Sequence, residues 1–104
     1  MERDTVIEVF GVNKEYSLAS RQEKVHALKD INLHDGAAFK GIKRGEFVII
    51  RGPSGGGKTT LLNITGSIDA ASSGSIHLLG KPIDQRSSDE YLSRLRLEHI
   101  GFVF

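Results

Sequence analysis

Residues 47–66 read FVIIRGPSGGGKTTLLNITG. Four apolar residues, Phe47 to Ile50, run without alternation, the pattern of a strand buried on both faces. Three consecutive glycines follow, and such a run weakens any helix or strand that contains it. Residues 58–65, KTTLLNIT, then have good helical character, and Gly66 is placed to close that helix. The stretch therefore predicts strand, glycine-rich loop and helix in immediate succession, and this order points to an α/β fold.

The glycines have a chemical rationale. Residues Gly52, Pro53, Ser54, Gly55, Gly56, Gly57, Lys58 and Thr59 match G-x-x-x-x-G-K-[ST] at every fixed position. A phosphate chain is bound by several backbone N–H groups aimed at one point. Side chains would obstruct that approach, and the turn uses φ values that are costly for other residues. The following helix adds its free N-terminal N–H groups and the positive end of its dipole. Lys58 supplies a mobile cation for the β- and γ-phosphates, and the Thr59 hydroxyl is a hard oxygen ligand for Mg²⁺. A glycine turn that binds nothing is the competing reading. With glycine at about 7% of residues, a chance match in a chain of this length is on the order of one in several hundred.

Composition narrows the class. The chain has 104 residues, 38% of them apolar and 26% charged, which fits one small globular domain rather than a disordered segment. The 14 basic and 13 acidic residues leave a net charge of +1, so no electrostatic case for nucleic acid or an anionic membrane arises. Lys40, Lys43, Arg44 and Arg51 read as part of a solvated, mixed-sign surface. Cysteine is absent, which excludes disulfide and thiolate chemistry. No apolar run approaches the length of a bilayer span, and MERDTVIEVF lacks the apolar core of a signal peptide. A cytosolic soluble chain is the expectation.

Along the chain, residues 5–12 and 25–33 read as strands, with the polar residues 13–24 as a loop between them. Residues 34–41, HDGAAFKG, break the pattern, and 43–46 form a turn with Gly45 at positive φ. Residues 71–74 read as a turn, 75–79 as a short strand and 80–85 as another turn. Residues 87–100 are the clearest helix. Ser87 and Glu90 have capping-box spacing, Asp89 and Glu90 lie in the first turn, and Arg94 and Arg96 lie late. Residues 100–104 read as a strand. The four histidines are far apart and show no metal-ligand spacing. Asp89 and Glu90 read as helix N-terminal charges rather than an acid pair. NKEY superficially suggests the guanine-reading motif of GTPases, but it lacks the aspartate and precedes the phosphate loop.

With these residues in view, a resemblance can be stated. RGPSGGGKTTLLNITGSIDAASSGSIHLLGKPI (51–83) resembles the phosphate-loop region of ATP-binding cassette (ABC) ATPases. IEVFGVNKEY (7–16) resembles their opening strand and aromatic loop. ALKDINL (27–33) and IKRGEFVII (42–50) resemble the paired strands leading into the phosphate loop. RLRLEHIGFVF (94–104) resembles the segment before their Q-loop glutamine. The lipoprotein-releasing and macrolide-export types are nearest in flavour.

The resemblance implies a fold: the N-terminal half of a P-loop NTPase, with an antiparallel β-subdomain, the start of the parallel-sheet core and the phosphate-loop helix. It implies that Tyr16 stacks on adenine. It makes Gly52, Pro53, Ser54, Gly55, Gly56, Gly57 and Thr60 the phosphate cradle, Lys58 the phosphate lysine and catalytic candidate, and Thr59 the magnesium ligand. The cofactors implied are ATP and Mg²⁺. The partners implied for a full-length parent are a second ATP-binding subunit and a membrane-spanning transporter subunit, at the cytoplasmic face of the membrane.

The departures bear on activity. Residues 1–104 correspond to a partial nucleotide-binding domain that stops just before the glutamine. The signature loop, the acidic end of the second nucleotide strand and the switch histidine are not among them. Phosphoryl transfer needs several such parts together, so the expectation for these residues is nucleotide binding, with ATP hydrolysis belonging to the parent family. Residues 34–41 read as an insertion at a hairpin tip. The rival reading is a truncated, non-catalytic module that binds nucleotide or self-associates. A DNA-repair or translation ATPase of the same superfamily is a further alternative, and GFVF and LLNITG favour the transporter type over it.

Overall fold

β1 (Thr5–Leu18) is the strand on which the molecule is assembled. The computed structural model describes residues 4–18, 23–52 and 57–103. One edge of β1 pairs antiparallel with β2 (Glu23–Leu33) from Val9 to Leu18, and with the two-residue β3 (Ile42–Lys43) at Thr5 and Ile7. The other edge pairs antiparallel with β4 (Ser73–Leu78), which in turn pairs with β5 (Lys81–Ile83). Two helices complete the fold: α1 (Lys58–Thr65) and α2 (Asp89–His99).

One face of the sheet is buried. Val9 and Val12 of β1, Leu28 of β2, Ile76 and Leu78 of β4 and Ile83 of β5 meet Ile64 of α1 and Leu92 and Leu95 of α2. This is the one-sided burial usual for an antiparallel sheet. Val9 and Val12 are three residues apart, which would put them on opposite faces of a regular strand. The register between β1 and β2 shifts between them, at Gly11 with φ 55°. This bulge returns Val12 to the buried side. Asn side chains hold it: the Gly11 N–H donates to Asn32 Oδ1 at 2.8 Å, and the Asp30 N–H donates to Asn13 Oδ1 at 3.0 Å. Gly74 (φ 83°) crosses the bulge so closely that a Cβ there would lie 2.3 Å from the Gly11 carbonyl oxygen.

Several expectations stand and several need correction. The helix 58–65 forms with the bounds read from sequence, with Gly66 as its C-cap. Residues 5–12, 25–33 and 75–78 lie in strands, as expected. The polar stretch 13–24 is not simply a loop: β1 runs on to Leu18, because its edges find ladder partners in β2 and β4 whatever its polarity. Residues 81–83, expected as a turn, form β5. The α2 cap lies one residue later than predicted. Ser88 Oγ accepts from the Tyr91 N–H at 3.1 Å, while Ser87 Oγ accepts from the Asp84 N–H at 3.0 Å.

The two segments expected to start a parallel sheet behave differently. Residues 47–50 and 100–103 are not in strands, and Phe47, Val48, Ile49, Ile50, Phe102 and Val103 are exposed. Every pairing among the described residues is antiparallel and belongs to the β1-centred sheet. Residues 47–50 have no strand neighbour among the described residues and so gain no ladder bonds, whereas Ile100 packs against the core and Phe102 lies against Gly66.

Candidate nucleotide site

The head of α1 is shaped by one glycine. Gly57 is the N-cap residue, with φ 88° and ψ 5°. A Cβ on it would lie 2.6 Å from the Ala27 carbonyl oxygen and 3.0 Å from Leu28 Cδ2. Both backbone hand and the approach to β2 therefore require glycine here. Lys58 is the first residue of the helix, and its Nζ donates to the Gly52 carbonyl, so the ammonium lies across the loop's chord. The first turn of α1 holds no acidic side chain, which leaves its positive end without a carboxylate of its own. Thr59 is exposed and Thr60 half-buried, both within the first turn of the helix. Thr59 also lines a cleft of about 790 Å³ shared with Leu62, Gly66, Phe102 and Val103. Pro53, Ser54, Gly55 and Gly56 lie outside the described residues.

Tyr16 sits on the far half of β1, opposite Val25 of β2, and is 39% exposed. Its hydroxyl donates to Asp69 Oδ2 at 3.3 Å. The Lys14 ammonium stands 5.1 Å from its ring centroid. Strand β2 relates this ring to the loop: Val25 faces Tyr16, and the carbonyl of Ala27 abuts Gly57. Two residues of strand span about 7 Å. The structure thus brings Tyr16, Gly57 and Lys58 to one short stretch of β2.

Sequence reading missed Lys14 and Asp69. Lys14 is two residues from Tyr16 on β1, a spacing that puts both on one face of the strand and could have signalled their meeting. Asp69 is 53 residues from Tyr16, and no local spacing signals that contact. Among the described residues, no cluster of three or more His, Cys, Asp or Glu side chains could hold a metal ion.

A lysine-led helix with a glycine cap, set against a bulged antiparallel sheet, defines an α/β protein of the phosphate-loop class. The sequence model of the ABC transporter family matches residues 36–104, and the chain belongs to that family. It is 45% identical over 101 residues to ABC transporter H family member 2 of Dictyostelium discoideum, covering 97% of this chain and 18% of that one. It is 38% identical to the lipoprotein-releasing system ATP-binding protein LolD of Francisella tularensis, covering 97% of this chain and 39% of that one. Among solved structures, the dimeric ABC transporter cassette MJ0796 superposes with a TM-score of 0.80 at 39% identity, over 94% of this chain and 38% of that one. The same cassette in a post-hydrolysis state bound to ADP and Pi gives a TM-score of 0.73 at 36% identity, over 86% of this chain and 34% of that one. The chain therefore spans between 18% and 39% of the lengths of these relatives.

Proposed function

We propose that this chain binds Mg-ATP as part of the ATP-binding subunit of an ABC transporter. The observation that carries the reading is Lys58: it opens α1 behind a left-handed glycine and spans the loop to Gly52. An ammonium there counters the negative charge of the β- and γ-phosphates. Gly52 to Gly57 and Thr60 make the phosphate cradle, and Tyr16 offers its ring to adenine. Residues 1–104 form a partial nucleotide-binding domain in this reading, with 34–41 as an insertion in it.

Thr59 fits a magnesium ion of modest protein ligation. Mg²⁺ keeps several waters and takes its remaining oxygens from one or two protein groups and the phosphates, so a single exposed hydroxyl at the helix head suffices. When bound, the ion neutralises phosphate charge. This chain's own contribution is to hold the phosphates by backbone, lysine and hydroxyl. Turnover belongs to a longer parent in this proposal, as do pairing with a second ATP-binding subunit and docking on a membrane-spanning subunit at the cytoplasmic face. No helix among the described residues is long and apolar enough to cross a membrane.

Thermal unfolding of the 104-residue chain with and without millimolar Mg-ATP tests the reading. A ligand that binds only the folded state stabilises it by about 2.7 kcal/mol at a hundredfold excess over Kd. The transition is expected to rise with Mg-ATP in the wild type and not in Lys58→Ala. A cooperative transition indifferent to nucleotide would sink it.

A second reading, self-association without turnover, is favoured by one observation: the exposed apolar run Phe47 to Ile50. Sedimentation at several concentrations, with and without nucleotide, separates the two. Concentration-dependent association that ignores both nucleotide and Lys58→Ala supports the second.

A further inference from the structure

Asp69 lies beyond the C-terminal end of α1, outside every motif, yet its carboxylate has three partners. Oδ2 accepts from the Tyr16 hydroxyl at 3.3 Å. Oδ1 accepts from the Ala70 N–H at 2.8 Å and from the Lys14 ammonium at 3.3 Å. Lys14 also donates to the Ala70 carbonyl at 2.7 Å, and its side chain is only 13% exposed. This ion pair is therefore partly desolvated and held by additional hydrogen bonds, unlike a loose surface pair.

The segment that carries Asp69 is itself fixed at both ends. The N–H groups of Ile68 and Asp69 donate to the Asn63 carbonyl of α1, at 2.9 and 3.2 Å. The Ser72 N–H donates to the Asn13 carbonyl at 2.9 Å, and Ser72 Oγ accepts from the Glu15 N–H at 2.9 Å. Asp69 is thus a strut between α1 and the far half of β1.

We propose that Asp69 is a positioning residue for nucleobase recognition: it anchors the Tyr16 ring by its hydroxyl and ties that ring to the helix that carries the phosphate loop. The inference rests on the nucleotide reading above. Lys14 covers one face of the ring and the hydroxyl is pinned, so a base stacks on the opposite face. Base platform and phosphate arm then belong to one unit. Holding both before the ligand arrives lowers the ordering cost of binding a molecule that has a base at one end and phosphates at the other.

The test compares two ligands in the presence of Mg²⁺, ATP and inorganic tripolyphosphate, by calorimetry on the 104-residue chain. Asp69→Ala is expected to weaken ATP binding about fivefold, part of what losing a base–aromatic stack costs, and to leave tripolyphosphate binding unchanged. Tyr16→Phe, which keeps the ring and loses the hydroxyl, is expected to match it. Asp69→Ala added to Tyr16→Ala is expected to change nothing further. Asp69→Asn keeps an acceptor and a donor at the site, so it is expected to recover most of the ATP affinity. Tyr16→Phe, which leaves the Lys14–Asp69 pair in place, carries the test if the alanine variant does not unfold cooperatively, and wild-type ATP affinity in it overturns the inference. Equal loss of both ligands, additive losses with Tyr16→Ala, or wild-type ATP affinity in Asp69→Ala each overturn the inference. ATP bound no better than tripolyphosphate by the wild type overturns it while the phosphate-loop reading stands. A wild type that binds neither ligand removes both.

Discussion

Ile76 and Phe47 lie in two short segments that read as strands, SIHLL at 75–79 and FVII at 47–50, and that meet opposite fates. Ile76 is 1% exposed, in a strand flanked by β1 and β5. Phe47 is 91% exposed, in a segment with no strand neighbour among the described residues. The side chains are of similar apolarity. Fully burying one contributes roughly 1.5–3 kcal/mol, but only where other residues supply the cover. A strand is thus a property of its neighbours as much as of its own residues. The antiparallel half of this molecule closes its ladders within the chain, whereas the run leading into the phosphate loop does not.

Three substitutions press on that contrast, from the largest expected effect to the smallest. Ile76→Ala removes a fully enclosed side chain from the β-sheet face. It is expected to lower stability by about 3 kcal/mol in chemical denaturation, because the transfer loss is joined by a cavity. An effect under about 1 kcal/mol would mean that the sheet half is no better packed than the loop arm.

Ser67→Gly acts where the end of α1 meets α2, since the Ser67 carbonyl accepts from the Arg96 guanidinium. Ser67 is fully buried with φ 66°, and its hydroxyl has no hydrogen-bond partner among the described residues. Glycine relieves both the left-handed backbone and the orphaned hydroxyl, against a greater loss of chain entropy on folding. The expected result is a gain of about 1 kcal/mol, read as a higher melting temperature, and a loss of stability would show that the hydroxyl is used. Phe47→Ser, by contrast, removes a large side chain that touches little. Stability is expected to stay within about 0.5 kcal/mol of wild type. A loss comparable to that of Ile76→Ala would mean that Phe47 is covered in solution, and a sedimentation profile that shifts with the substitution would name a second copy as the cover.

Much of the fold was legible. KTTLLNIT reads as a helix and is one, since helix hydrogen bonds are local and Gly57 and Gly66 bound it from within the sequence. The residue pattern marked the first part of β1 and the later parts of β2 and β4, whereas Ser73 and Gly74, read as a turn, open β4. Alternation failed where the ladder overrode polarity, as at Lys14 to Leu18, and where it had nothing to pair with, as at Phe47 to Ile50. The cap of α2 slipped by one residue because Ser87 and Ser88 are chemically equivalent on paper. The Asp84 N–H takes Ser87 and leaves Ser88 for the helix. At the candidate site the phosphate motif stood out because its residues are contiguous. The seating of Tyr16 did not, because Lys14 reaches Asp69 only across the sheet edge.

By itself the sequence determined the phosphate-loop motif, its helix and the membership that the ABC transporter family comparison bears out. These rest on residues close together in the chain, where spacing is geometry. Tertiary structure alone decided that Gly57 must press on Ala27, that Val12 returns to the core through a bulge at Gly11, and that Asp69 anchors Tyr16. Each of those depends on which strand or loop lies alongside. That is set by where apolar faces find cover and backbone groups find partners across the whole fold.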